Sequence, residues 1–289
     1  MRLSLKLGAL CAGVAIVPVA AASVVVLQRV PSAQATPELS EIQASTTTAL
    51  ALYEKRLEQM RLAAQYLANE IGLRVLLEGS EPLGGPKLAR LQDLLSRARD
   101  ELSLDFVVVA DKTGHVIARH NDAPAAGEML PQSTSRNAIA GKVMADGAQL
   151  RHSPQAAVVL ERGEILTRLW LDKAARVTRV DGSTLDEALI IESAAPVFSA
   201  GQFSGAVLIG QMLNNYYVAR PGASLLQTPL IAEVKQTVFP GTESEGGALI
   251  VIEDTVVASS VRDPASAHPV LFGARCNTGD APQVLTWSG

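Results

Sequence analysis

Twenty-one consecutive residues near the N-terminus, Leu7 to Leu27, carry no charge. At 1.5 Å per residue such a run spans a hydrocarbon core of roughly 30 Å. Arg2 and Lys6 precede it, Arg29 follows, and no second run of that kind occurs in the chain. The pattern predicts a transmembrane anchor over residues 1–30, with a short cytoplasmic tip and everything after it exported, because positive charges ahead of a span stay inside. The competing reading is a cleaved secretory leader. Ala33-Gln34-Ala35 offers small residues for cleavage, but the apolar run exceeds the roughly 7–15 residues of a leader core.

Beyond the run, Thr36-Pro37-Glu38 reads as an N-cap, a first-turn proline and an acid at the positive helix end. Ile42, Thr46, Ala49, Tyr53, Leu57, Met60, Ala64, Leu67 and Ile71 then recur at spacings of three and four. That periodicity predicts a long amphipathic helix within residues 36–80. Leu50, Leu62 and Tyr66 widen its apolar surface, which predicts a homodimer through this helix as well as packing on its own domain. Gly79 to Pro86 breaks it, and Leu88, Leu91, Leu94, Leu95, Ala98 and Leu102 mark a second amphipathic helix.

Period-two and β-branched runs follow. Leu104 to Ala110 and His115 to Arg119 flank Asp111-Lys112-Thr113-Gly114, a hairpin with a tight turn. Ser133 to Ala145 reads as a short capped helix, and Ala156 to Leu160 and Ile165 to Leu171 as strands. Ala188 to Phe198 and Phe203 to Gly210 form a second hairpin across Ser199-Ala200-Gly201-Gln202. The order fits one antiparallel sheet with helices packed on one face, an α+β domain. A helical stretch over Leu225 to Phe239, then strands over Ala248 to Glu253 and Thr255 to Ser260, open a second, smaller sheet unit. Residues 275–289 show no periodicity and are expected to be disordered.

The formal charge of −4 is spread without a basic block, so electrostatics give no case for nucleic acid. Cys11 and Cys276 are the two cysteines, one in the span and one near the end, so no disulfide framework holds the fold. With 48% hydrophobic residues a packed core does that work, and 4% aromatics leave little for a stacking surface.

Catalytic chemistry finds no support. His115, His120, His152 and His268 lack metal-ligand spacing, and Gly201 to Gly205 lies in a hairpin with the wrong spacing for a nucleophile elbow. No phosphate loop opens a helix. The expectation is a non-enzyme with no metal and no cofactor. A candidate binding site remains: Arg119, His120 and Asn121 leave the second strand of the first hairpin, and Arg136 lies on the following helix. Cationic and amide groups converging on a partly apolar cleft can hold a small anion. The bland alternative is a set of solvated loop residues.

These residues resemble a known family. Span, long helix and the Leu104–Arg119 hairpin are similar to the extracytoplasmic Cache (PAS-like) sensor domains of bacterial chemoreceptors and sensor histidine kinases. Ala194-Ala195-Pro196-Val197 through Gly205-Ala206-Val207-Leu208-Ile209-Gly210 resembles the hairpin that closes a first Cache module. Leu213-Asn214-Asn215-Tyr216, Val234 to Phe239, Ile250 to Asp254 and Ser259 to Asp263 resemble the opening of a second. The resemblance implies a first PAS-like module over 86–215 and a partial second over 224–274. The Tyr/Arg/Trp/Asp signature of the amino-acid-binding subset is not found, so that ligand class is not implied.

The resemblance further implies a membrane-anchored ligand-sensing input domain for signal transduction, in the inner membrane with its C-terminal portion periplasmic. Where the family continues with more strands, a returning span and an output module, this chain has Ala267 to Ala274 and the tail. Output is therefore expected through a separate signalling protein. A different class of reading is an exported small-ligand-binding or scaffold protein of the envelope with no signalling role.

Overall fold

The computed structural model of the chain describes residues 23–28, 37–71, 85–120, 136–162, 176–178, 187–213, 216–220, 223–227, 229–239, 246–252 and 255–260. The three- and four-residue periodicity forms α1, Pro37–Ile71, and the next amphipathic stretch forms α2, Pro86–Glu101. Met60, Ala64, Leu67, Ala68 and Ile71 make the buried stripe of α1. Proline opens α2, where its missing N–H forfeits nothing, and Gly85 before it takes a positive φ of 54°. Thr36, Ser133 and Ile165 to Leu171, and residues 275–289, lie outside the described residues.

The first hairpin is β2, Phe106–Asp111, and β3, Val116–Arg119. Its turn is built by Asp111, whose Oδ1 accepts hydrogen bonds from the Thr113 N–H (2.8 Å), the Thr113 hydroxyl (2.6 Å) and the His115 N–H (3.0 Å). Gly114 supplies the left-handed residue at φ 88°. The second hairpin is long: β6, Glu187–Ser199, pairs with β7, Gln202–Met212. With β4, Gln155–Arg162, these strands make one antiparallel sheet in the order β3-β2-β7-β6-β4. Counted within the sheet by chain order, that is 2-1-5-4-3, a PAS-like arrangement.

Helices cover both faces of this sheet, not one. Alternation along β2 sends Val107 and Val109 to a core shared with α1 and α2. Phe106, Val108 and Ala110 go to a core shared with Ile139, Ala140 and Val143 of α3, Arg136–Ala148. The physical reason is visible in β2 itself, where Phe106 to Ala110 are all buried, a run that needs cover on each side.

A second sheet has the order β1-β10-β11, from β1, Ser23–Gln28, β10, Gly246–Ile252, and β11, Thr255–Ser259. Here the far end of the expected membrane helix is corrected. Ser23 to Leu27 are its last residues, yet they form a strand registered from Ser23↔Val251 to Gln28↔Gly246. Val24-Val25-Val26 is β-branched, and such residues suit a strand flanked by Leu249 and Ile250 better than a helix interior. Residues 7–22 lie outside the described residues, and among the described residues no helix is long and apolar enough to cross a membrane.

A third small sheet joins β5, Arg176–Thr178, β8, Tyr216–Arg220, and β9, Ala223–Gln227. It corrects a second expectation, because Leu225 to Gln227 are strand and the helix α4 runs only over Pro229–Val238. Pro229 fixes that start. Leu230, Ile231 and Val234 of α4 join the same core as Ala49 of α1 and Ala248, Ile250 and Ala258 of the second sheet. One apolar core therefore runs from the first sheet into the second along α1.

Candidate functional site

Two buried charges lie on the α3 face of the five-stranded sheet. Arg119 is 1% exposed and Glu192 is 0% exposed. A β-bulge puts Arg119 there. Ala110 pairs with Val116, but beyond the shift Val109 pairs with Ala118 and Val108 with Arg119. Had the register continued unshifted from Ala110 and Val116, Arg119 would oppose Val107 and enter the α1/α2 core. With the shift, the guanidinium stands in the row of Val108, on the side of α3.

Glu192 reaches the same face by simple alternation between Ile190 and Ala194, both packed with α3. It opposes Gly210, which opposes Phe106. A Cβ at Gly210 would collide with the Phe106 ring, so glycine here is what lets that ring lie across the sheet. The floor between the charges is thus Val108, Leu208, Phe106 and Gly210. Three strand spacings separate β3 from β6, about 14 Å at roughly 4.8 Å each. Buried charges are tolerated only when engaged, and both residues have interaction partners within the fold.

Of the four residues expected from sequence, the structure brings Arg119 to this face and gives His120 another task. The His120 N–H donates to the Val107 carbonyl at 3.0 Å, and its Nδ1 accepts the Val107 N–H at 3.3 Å. The ring thereby continues the β2–β3 ladder one step past the strand end, buried at 4% exposure. In this position His120 braces the strand that carries Arg119. Asn121 lies outside the described residues, and Arg136 is the first residue of α3.

Neighbouring groups fix the edges of the floor. Asp105 donates its N–H to the Gly210 carbonyl, and its Oδ2 accepts the Met212 N–H at 2.6 Å, tying the start of β2 to the end of β7. At the other end the Phe203 ring packs where Gly147 of α3 has no side chain, and it meets Phe198 edge-on at 5.9 Å. His152 lies against Phe198 with ring centroids 3.9 Å apart.

Asp111 at the turn shows a different electrostatic balance. Burial pushes its carboxyl up, but hydrogen bonds from Thr113 and His115 and the charge of His115 outweigh this and hold it below its ordinary 3.8. Two open grooves, about 440 Å³ and 260 Å³, lie on the opposite side of the sheet between α1 and β4, lined by Glu58, Arg61 and Ala156 among others. They do not touch Arg119 or Glu192. Among the described residues no group of three or more His, Cys, Asp or Glu is placed to hold a metal.

Glu192 was missed by sequence reasoning, and a signal for it existed. It is the one acid inside the run Ala188 to Phe198, and a charge in a strand buried on both faces is rarely incidental.

Similar solved structures are sensor and ligand-binding domains. The chain resembles the E. coli DcuS sensor domain at 17% identity, with 57% of this chain and 90% of that one covered and a TM-score of 0.35. It resembles the sensor domain of the V. cholerae histidine kinase DctB at 12% identity, covering 79% and 67%, with a TM-score of 0.40. A third is the ligand-binding domain of the Pseudomonas aeruginosa PAO1 amino acid chemoreceptor PctC in complex with GABA, at 15% identity, 86% and 84% coverage and a TM-score of 0.39. No protein-family model and no curated protein matches this chain. None of these likenesses places a ligand in this chain; the site rests on its own residues.

Proposed function

We propose that the protein is a membrane-anchored extracytoplasmic sensor whose first sheet binds a small organic anion between its α3 face and α3. The observation that carries this reading is the buried guanidinium of Arg119, set on that face by the bulge in the first hairpin. A guanidinium offers a planar fork of donors that matches a carboxylate, and at a low-dielectric site such bonds are strong. Glu192 across the floor gives the ligand's other end a polar partner, favouring a molecule with a donor there. Arg136, the first residue of α3, is the second cation assigned to this site.

The anchor is the uncharged run that begins at Leu7, retained rather than cleaved, because cleavage after Ala35 would remove β1 from the second sheet. Leu62 and Tyr66, each more than half exposed and one turn apart on α1, support pairing with a second copy along that helix. Ligand binding biases two arrangements of α1 by its differential affinity for them, and a signalling module, in this or another chain, reads the result.

The test is a thermal-shift screen of the full chain in detergent against small mono- and dicarboxylates, amino acids and purines. A carboxylate well above its dissociation constant raises the midpoint by mass action, and Arg119→Met makes that shift clearly smaller at the same concentration. No shift from any class, or an equal shift in the variant, refutes the proposal.

A further inference from the structure

We infer that Ser23–Gln28 is a two-position element, paired with β10 in one state and drawn into the lipid-embedded run in the other. The β10–β11 sheet and the membrane thus compete for the same residues. This rests on the anchored reading above. Leu7 to Leu27 is long enough for a hydrocarbon core only as a whole, about 31 Å at 1.5 Å per residue against roughly 30 Å. With β1 formed, sixteen residues remain ahead of it, Leu7 to Ala22, or about 24 Å. Full spanning and a full β1 cannot coexist in a bilayer of ordinary thickness.

Neither destination is chemically foreign to the segment. Val24, Val25, Val26 and Leu27 suit a strand, and in lipid an apolar helix satisfies its own backbone. Among the described residues β1 is an edge strand whose ladder is with β10, so its departure breaks that ladder and leaves β10 paired to β11. The rest of the unit stays attached throughout. Arg56 Nη2 of α1 meets Glu233 Oε2 of α4 at 2.8 Å, and α4 packs on β10. α1 itself contacts β1, β6 and β7, so a displacement of this helix is felt by both the exchangeable strand and the sheet bearing Arg119. That is a bistable element joined to the ligand site by one rigid rod.

The experiment uses the full chain with Cys11→Ser and Cys276→Ser, carrying Val25→Cys and Leu249→Cys at registered positions. It is reconstituted in phosphatidylcholine vesicles of short, medium and long acyl chains, then floated on a density gradient and oxidised. A span meets thickness mismatch by moving residues into or out of lipid. The chain should float in every bilayer, with disulfide yield high in thin bilayers and falling at least threefold in thick ones. A floating chain whose yield is independent of thickness, whether uniformly high or absent, overturns the inference and leaves the anchored reading standing. A chain that does not float overturns both. Leu27→Cys with Gly247→Cys, a second registered pair, is run in parallel so that a folding defect in one pair does not decide the result.

Discussion

The two faces of the five-stranded sheet differ in what they bury. Toward α1 and α2 the strands present Val107, Val109, Ile191, Val207 and Ile209, and the buried polar side chains of β6 and β7 on that face, Ser193 and Gln211, are neutral. The Ser193 hydroxyl donates to the Gln155 carbonyl at 2.8 Å, and the Gln211 amide donates to the Ser103 carbonyl at 2.9 Å. Toward α3 the same strands present Arg119 and Glu192 among apolar neighbours. A sheet that needed only a core would have filled both faces alike, since buried ion pairs add little net stability over apolar packing. The contrast separates an apolar face, continuous with the second sheet through α4, from the charged face to which the proposed function assigns recognition.

Substitutions on each face can break or sharpen that division. The largest effect is expected on the apolar side, where Ile191→Ala should lower stability by about 2–5 kcal/mol in urea melts. Because Ile191 points away from α3, ligand affinity measured on the folded variant should be unchanged. Arg119→Met should do the reverse, weakening anion binding about 10–100-fold by titration calorimetry, as expected for charged hydrogen bonds of roughly 1.5–3 kcal/mol. A variant that keeps its affinity would place the ligand elsewhere.

His120→Ala sharpens the boundary between the two roles. It leaves the buried Val107 N–H without its ring acceptor, which should cost about 1–3 kcal/mol in melts. Affinity should fall only as far as the end of β3 loosens, well short of the Arg119→Met loss. The smallest effect is at the turn. The Asp111 carboxyl sits below its ordinary 3.8 when folded, so its contribution is fully present above that value and fades as pH falls through the folded one. In Asp111→Asn the acid limb of a stability–pH profile should therefore be shallower, with no change at neutral pH beyond the loss of the turn's charge-assisted bonds.

Much of this architecture was legible in the chain. Spacing gave α1 and α2, and the Asp-Lys-Thr-Gly turn gave the first hairpin, because each of those signals is local. What was not legible depended on tertiary pairing. Val24 to Leu27 reads identically as the end of a span or as a strand, and only β10 distinguishes them. Leu225 to Gln227 continues the apolar run of α4, and only its pairing with β8 makes it strand. The site was half visible. Arg119 could be singled out as a cation at a strand end, but the face it occupies depends on a bulge that no residue type announces. Nor does the sequence show that the His120 ring nitrogen takes the place of the next rung of the ladder beyond β3.

Amide hydrogen exchange with and without a bound carboxylate reads the location of the ligand directly. Protection should rise in α3, Arg136–Ala148, and along Phe106–Arg119, while the exposed side of α1 around Glu58 and Arg61 stays unchanged. Protection confined to the α1–β4 grooves, with α3 unaffected, would contradict the assignment of the α3 face as the recognition surface.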